Sequence, residues 1–203
     1  SQVAGILAGM KKDNAAYQMR FMDPITRSKV SAKFKSIDKK QEIELLLQNM
    51  ENKELTLKNT AEIYSTESTE KLVDIIGNAN TYSLKDLAVI YKEFDIKKGA
   101  AILAKAGDET FVHELLGVIK EREILLNNQD IITQDILKAY KIYKEFEDNV
   151  SDLKEVYDNM NTKQIAELLK RLLRSTNPTE TYTLSNGDVI SISDEDLAFA
   201  ILE

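Results

Sequence analysis

The chain has 203 residues, of which 43% are apolar and 30% are charged, and its formal net charge is −7. This apolar fraction can fill a core of ordinary size, which excludes a disordered chain. Lys and Arg are scattered among the acids without a basic stripe, which argues against binding to nucleic acid or anionic lipid. The absence of cysteine excludes disulfides, thiolate metal sites and cysteine nucleophiles.

The composition favours helices. Only two prolines and seven glycines interrupt a sequence rich in Leu, Ile, Lys, Glu and Ala, so we expect an all-α fold. No apolar run approaches the roughly 20 residues that span a bilayer, and the start lacks the zones of a signal peptide, so no direct membrane insertion is expected. Ser1-Gln2 and Leu202-Glu203 have the composition of vector-derived residues, which leaves open whether a longer parent protein is membrane-anchored.

The first block is predicted at residues 1–58. Apolar residues at helical spacing predict short helices over 3–10 and 15–22, and Asp23-Pro24 marks the start of the next helix. Asp38 opens a longer helical run whose outer face carries Lys and Glu, as in a solvated connector.

A second block is predicted at 59–128. Ser68 is expected to cap a short helix that ends at Gly77-Asn78, and Ser83 to cap the next one. The Ala-rich segment 100–104 is expected to pack against the apolar face of the following segment, 111–119. A polar stretch near 121–129 predicts a bend before the third block, 129–203.

The third block contains a segment with a β pattern. Runs of β-favouring residues at 181–184 and 188–192 flank Ser185-Asn186-Gly187, and an Asn-Gly turn between such runs is a strong hairpin signal. We predict a small β-hairpin insertion near 181–192. Because a lone hairpin is only marginally stable, it must pack on the helices, pack on another chain, or be mobile.

A short pattern recurs along the chain: an apolar pair, a Met or Phe, a polar step and an Ala-rich helical turn. Its copies lie at 6–24, 89–108 and 156–172. Tyr143-Lys144-Glu145-Phe146 also repeats Tyr91-Lys92-Glu93-Phe94, which we interpret as further evidence of duplication. Such self-similarity indicates short helices that must lean on their neighbours, so we expect function on a surface and not in a catalytic pocket.

Side chains that could support catalysis or bind a metal have simpler structural explanations. His113, the single histidine, has no nucleophile or metal ligand at a suggestive spacing, so we assign it no role. The acidic clusters at 145–152 and 194–196 lack the spacing of a calcium loop, and the second is typical of the first turn of a helix. The sequence therefore predicts no enzyme activity, no catalytic residue, no metal site and no cofactor.

The aromatic residues leave two interpretations open. Tyr91, Tyr140, Tyr143 and Tyr182 are interface candidates, because tyrosine is enriched at protein interfaces. The simpler alternative is that tyrosines lie at the edge of the core, and the sharper one is a concave groove lined by them. The recurring Met and Phe residues are expected in core contacts between stacked helices: Met10, Met22, Phe94, Phe146 and Met160.

The repeated phrase resembles the helical repeats of the MgtE N-domain superfamily, which is found in MgtE magnesium transporters and in the flagellar stator-associated protein MotE. The likeness to the rotor protein FliG is more distant. Residues 6–24, which end in Met22-Asp23-Pro24, carry the resemblance best, and 89–108 and 156–172 carry it more loosely. The resemblance implies a right-handed superhelix of short stacked helices with two or more such blocks.

The resemblance implies two alternative functions. The first is a non-enzymatic scaffold of the bacterial flagellar motor, in its stator or periplasmic collar, that binds partner proteins through a helical surface. The second is a cytosolic, divalent-cation-sensing regulatory domain of an MgtE-type magnesium transporter. Several repeat blocks without a cystathionine-β-synthase-type domain favour the scaffold, and the Lys-, Ile- and Asn-rich composition resembles that of spirochaete proteins. We therefore expect motor or collar proteins as partners and a periplasmic location, with the cytoplasm as the alternative and homo-oligomerisation left open.

Overall fold

A computed structural model describes residues 2–34, 37–126, 128–177 and 179–202. These residues form eleven helices and one two-stranded hairpin, which confirms the predicted all-α fold with a small hairpin. The helices are α1 (Gln2–Gly9), α2 (Lys12–Arg20), α3 (Pro24–Ser31), α4 (Ile37–Ser65), α5 (Thr69–Ile76), α6 (Leu84–Glu93), α7 (Ile96–Ala106), α8 (Glu109–Leu125), α9 (Ile131–Asp158), α10 (Thr162–Leu173) and α11 (Asp194–Leu202). The strands are β1 (Glu180–Thr183) and β2 (Val189–Ile192).

The helix starts follow from side chains that accept hydrogen bonds from free backbone amides. The Asp23 carboxylate accepts a bond from the Thr26 N–H at 2.9 Å, with Pro24 in the first turn of α3. Ser68 and Ser83 cap α5 and α6 in the same manner, as predicted. The local sequence is therefore sufficient to place these boundaries.

Two hydrophobic clusters form the interior. The smaller one joins α1, α2, α3 and the first half of α4, and the larger one extends from the second half of α4 to α9 and the hairpin. Phe94 is buried as expected, but Met10 is 36% exposed, which corrects its predicted core position. Met10 follows the end of α1 and lies in the bend before α2, outside both helices.

Most of the closest contacts join helices that are two apart along the chain. α2 packs on α4, α4 on α6 and α6 on α8, while α5 packs on α7 and α7 on α9. The segment 100–104 of α7 therefore packs mainly on α9 and α5, and 111–119 of α8 faces α6. The main contacts of these two segments are therefore with other helices and not with each other as expected, although both segments belong to the larger hydrophobic cluster.

The order of the helices is repeated. Unit 1 (α1–α5) and unit 2 (α6–α10) each contain three helices, a long helix of 29 or 28 residues, and a last short helix. The contacts repeat in part. α2 on α4 matches α7 on α9, and α4 on α6 matches α9 on α11, whereas the contact of α10 with α11 has no comparable counterpart between α5 and α6. α11 is thus the first helix of a further unit, and the fold is helical-repeat-like. α4 runs unbroken through residues 58 and 59, where the sequence predicted a block boundary.

Two of the sequence matches join helices that are not equivalent. The first tetrapeptide, 91–94, lies at the end of α6, the first helix of unit 2. The second, 143–146, lies within α9, the long helix of the same unit. The copy at 156–172 likewise falls on α9 and α10 and does not match α1 and α2. These two matches are therefore not evidence of duplication, and α11 is the third occurrence of the first helix.

The hairpin packs on its own chain, which selects one of the three alternatives. β1 and β2 are antiparallel with Tyr182 opposite Ile190, and Gly187 in the turn has a φ of 90°. The Asp135 carboxylate on α9 accepts bonds from the Ser185 backbone N–H at 3.0 and 3.1 Å and from its hydroxyl at 2.8 Å. This contact and the buried Ile190 fix the hairpin against α9.

Candidate functional site

The first helices of unit 2 and of the further unit have the same N-terminal cap. The Ser83 hydroxyl donates to the Asp86 carboxylate at 2.8 Å and accepts from the Asp86 N–H at 3.3 Å. Ser193 and Asp196 repeat both bonds, at 2.6 and 3.3 Å. Positions on α6 and α11 can therefore be matched one to one.

The inner cleft, as we name it, has a volume of about 240 Å³ and lies between α2, α4 and α6. Its walls include Tyr17 of α2, Glu54 of α4 and Val89 of α6. α8 closes it with Val118 and Arg122, which are one helical turn apart. The third helix of unit 2 thus fills the space beside the long helix of unit 1.

The Glu54 carboxylate links two arginines of different units. One of its oxygens pairs with Arg20 of α2 and the other with Arg122 of α8. Both guanidinium groups lie close to the Phe21 ring, 5.5 and 5.6 Å from its centroid. Burial lowers the pKa of both arginines, and for Arg20 the charge of Arg122 lowers it further. The shared carboxylate therefore compensates two partly buried cations at the junction of the units.

The outer groove is the counterpart of the inner cleft at the other end of the chain. It has a volume of about 590 Å³ and lies between α7, α9, α11, the start of α5 and strand β2. Tyr143, Phe146, Glu147 and Val150 of α9 form its floor, and Phe199 of α11 forms one wall.

Corresponding positions identify the two sites as equivalent. Ser68 caps the helix that follows α4, and Asn161 caps the helix that follows α9. Glu54 and Glu147 lie the same number of residues before these two caps, so Glu147 occupies the place of Glu54. Val89 and Phe199 lie the same number of residues after Ser83 and Ser193, which cap α6 and α11, so Phe199 occupies the place of Val89. The outer groove is therefore the same site without a counterpart of α8 among the described residues.

Exposure differs between the two sites as this equivalence requires. Val89 is 3% exposed because α8 packs on α6, whereas Phe199 is 55% exposed. Glu54 has two arginine partners, whereas Glu147 forms no ion pair with any described residue. Counted back from Asp23 and Asp108, the caps of α3 and α8, Lys105 occupies the place of Arg20 in unit 2, but it pairs with Glu70 and not with Glu147.

The four predicted interface tyrosines lie in different environments. Tyr143 lines the outer groove, where burial and then the nearby Asp95 charge raise its pKa. Tyr182 lies on the hairpin and its hydroxyl donates to Glu180 at 2.6 Å. Tyr140 and Tyr91 are buried in the core, with 7% and 1% exposure.

The Tyr91 environment is that of a structural core residue. Its hydroxyl donates to the Ile76 carbonyl at 2.9 Å, and burial raises the pKa of this tyrosine. This contact ties α6 to the end of α5. Tyr91 therefore offers no surface to a partner in this conformation.

The sequence analysis did not single out Phe199 or the position of Glu147 in the groove. The sequence does contain a pattern that could have identified them. Leu197-Ala198 repeats Leu87-Ala88, and each pair follows a serine and an aspartate that are three residues apart. This would have identified α11 as a copy of α6 and shown that a Phe replaces a core Val.

The acidic clusters and His113 have structural placements. Ser193 caps α11, the Asp196 carboxylate accepts a bond from the Ser193 N–H at 2.8 Å, and His113 lies exposed on α8. Within the described ranges no group of three or more histidine, aspartate or glutamate side chains is arranged to hold a metal ion. None of the helices in that part of the chain is both long and apolar enough to cross a bilayer.

Comparison of the chain with protein-family models, with curated proteins and with solved structures found no match.

Proposed function

We propose that this chain is a non-enzymatic protein-interaction scaffold of the bacterial flagellar motor, in its stator or periplasmic collar, and that the outer groove holds a partner protein. The outer groove is the observation that supports this proposal. It combines an aromatic floor and wall with a side chain, Phe199, that is 55% exposed where the equivalent Val89 is covered. Large aromatic side chains in a concave apolar site are typical of the residues that contribute most to protein interfaces.

The motor as the place of action is supported by the resemblance of residues 6–24 to the MgtE N-domain superfamily. A helical-repeat-like fold fits scaffolding, because such folds present extended surfaces that each unit helps to form. The same fold also serves other functions, so the groove and not the fold is what an experiment must test.

The test replaces Phe199 with Asp in the bacterium that encodes the chain. A carboxylate at this exposed position is expected to leave the fold intact and to prevent a partner from covering the groove. Electron cryotomography of the motors should then show loss of stator or collar density, with impaired swimming, at an unchanged level of the protein. Ile63→Asp on α4, also at an exposed apolar position, is the matched control and should leave motors and swimming unchanged. Normal motors in the Phe199→Asp strain would refute the proposal.

The cation-sensing alternative has no specific observation in its favour, since the described side chains include no cluster suited to a metal. Calorimetric titration with Mg²⁺ separates the two functions. A scaffold predicts no saturable binding in the millimolar range, whereas a sensor predicts binding with compaction.

A further inference from the structure

We infer that the outer groove accepts an amphipathic helix of a partner protein, and that this helix carries an arginine which pairs with Glu147. The inference rests on the proposed scaffold function and specifies the chemistry of the partner at the same site.

The template for this contact is present in the chain itself. In the inner cleft α8 contributes Val118 to the lining that also includes Val89 and, one turn later, places Arg122 on the Glu54 carboxylate. An apolar residue followed four positions later by an arginine lies on one face of a helix. The outer groove repeats the wall and the carboxylate, in Phe199 and Glu147.

The cation that pairs with Glu147 is supplied by the partner. Glu54 receives one of its two arginines from α2 of its own unit, but Lys105 at the equivalent position of α7 pairs with Glu70 at 2.8 Å. Lys154, the other lysine of the groove lining, is seven residues from Glu147 on α9 and forms no ion pair with it. A helix that covered Glu147 without a cation would leave a carboxylate buried and unpaired, which is strongly unfavourable. Arginine suits this place better than lysine, because its planar fork can bind both carboxylate oxygens and stack on Tyr143 or Phe146.

The shape of the groove indicates the apolar residue of the partner. Tyr143 and Phe146 replace the Met50 and Lys53 of the inner cleft, and the volume is about 590 Å³ against about 240 Å³. A residue larger than Val118, such as leucine, phenylalanine or methionine, is needed to fill the added space.

Two other occupants fit less well. A second copy of the chain cannot lend its own α8 without unfolding its inner cleft, because Arg122 is 93% buried there. An anionic lipid surface would meet three carboxylates in the groove lining, those of Glu70, Glu147 and Asp196. The lining has two lysines, Lys105 and Lys154, and Lys105 is already paired with Glu70 at 2.8 Å.

The test uses the full chain and a fluorescent peptide with the sequence of α8, residues 109–125, in which Val118 is replaced by Leu. We expect saturable binding in an anisotropy titration, and about tenfold weaker binding when the peptide also carries Arg122→Glu. The protein variant Glu147→Arg should reverse this preference, because each charge then meets its opposite. Glu145→Arg, an exposed position two residues away that does not line the groove, is the matched control and should behave as the native chain does.

The inference is overturned by any of three results. The first is no saturable binding up to about 1 mM peptide. The second is equal affinity for both peptides or no reversal by Glu147→Arg. The third is a dimer in light scattering that Glu147→Arg dissociates, since the occupant would then be a second copy. If Phe199→Asp disrupts the motor while peptide binding shows no charge preference, the scaffold function stands and only the arginine is refuted.

Discussion

Replacing Glu54 with Gln tests the ionic link between the two units. The change keeps the size of the side chain but removes the charge that lies between Arg20 and Arg122. The side chains of Glu54, Arg20 and Arg122 are only 19%, 13% and 9% exposed, so water can replace little of the lost interaction. Two cations that shared a carboxylate would then share a neutral acceptor, with the more distant charges of Glu51 near Arg20 and of Glu93 near Arg122 as the remaining compensation.

The expected cost follows from these contacts. A hydrogen bond to a charged group contributes about 1.5–3 kcal/mol, and two such bonds are weakened. Because Gln retains one carbonyl acceptor and other carboxylates lie near both arginines, we expect a loss of about 2–4 kcal/mol in the free energy of unfolding. With a urea m-value of about 2 kcal/mol per M, the unfolding midpoint should fall by about 1–2 M. Far-UV circular dichroism measures this midpoint directly for a mostly helical chain.

Glu147→Gln is the matched control at the equivalent place on α9. Glu147 has no ion-pair partner among the described residues, so its replacement should change the free energy of unfolding by less than about 0.5 kcal/mol. Equal midpoints for the two variants would refute the reasoning, since they would mean that the paired and the unpaired carboxylate have the same environment.

Three further predictions concern the packing of α7, the hairpin and a core tyrosine. Ala100→Leu should cost about 1–3 kcal/mol in urea unfolding, because Ala100 is fully buried on α7 between α5 and α9; native stability would argue against close contact there. Asp135→Ala should raise hydrogen exchange at 180–192 by about tenfold or more, because the Ser185 N–H and hydroxyl lose their acceptor; unchanged exchange would mean that the hairpin is held by apolar contacts alone. Burial raises the pKa of Tyr91, so the unfolded state loses its proton first and stability should fall as pH rises above about 10. Tyr91→Phe should cost about 1 kcal/mol at neutral pH and show a shallower decline in thermal midpoint at high pH; an unchanged slope would exclude this tyrosine as a cause.

Features of the fold that depend on neighbouring residues could be predicted from the sequence. Asp23-Pro24 and Ser83 begin helices because the capping side chain and the amide that it satisfies are three residues apart. Asn186-Gly187 predicts the hairpin because the turn needs a residue that tolerates a positive φ, and Gly187 adopts one.

Which helices lie side by side could not be predicted, because local patterns say only that a face is apolar. The segment 100–104 has an apolar face that suits α8 as well as α9, and only the three-dimensional arrangement selects α9. The same limit applies to Tyr91 and Tyr143. They belong to identical tetrapeptides, yet one is in the core and the other lines a groove, since they lie on helices with different places in the repeat.

The hairpin explains why the outer groove differs from the inner cleft. Unit 1 passes from α5 to α6 through residues 77–83, whereas unit 2 passes from α10 to α11 through 174–193, a longer connection that contains β1 and β2. Ser191 and Ile192 of β2 extend one wall of the groove, and the Asp135 contact to Ser185 fixes the hairpin to the floor helix α9. A wall that is fixed before a partner arrives lowers the entropy lost on binding. Asp135→Ala should therefore weaken peptide binding even though neither Asp135 nor Ser185 lines the groove, and an unchanged affinity would show that the hairpin does not shape the site.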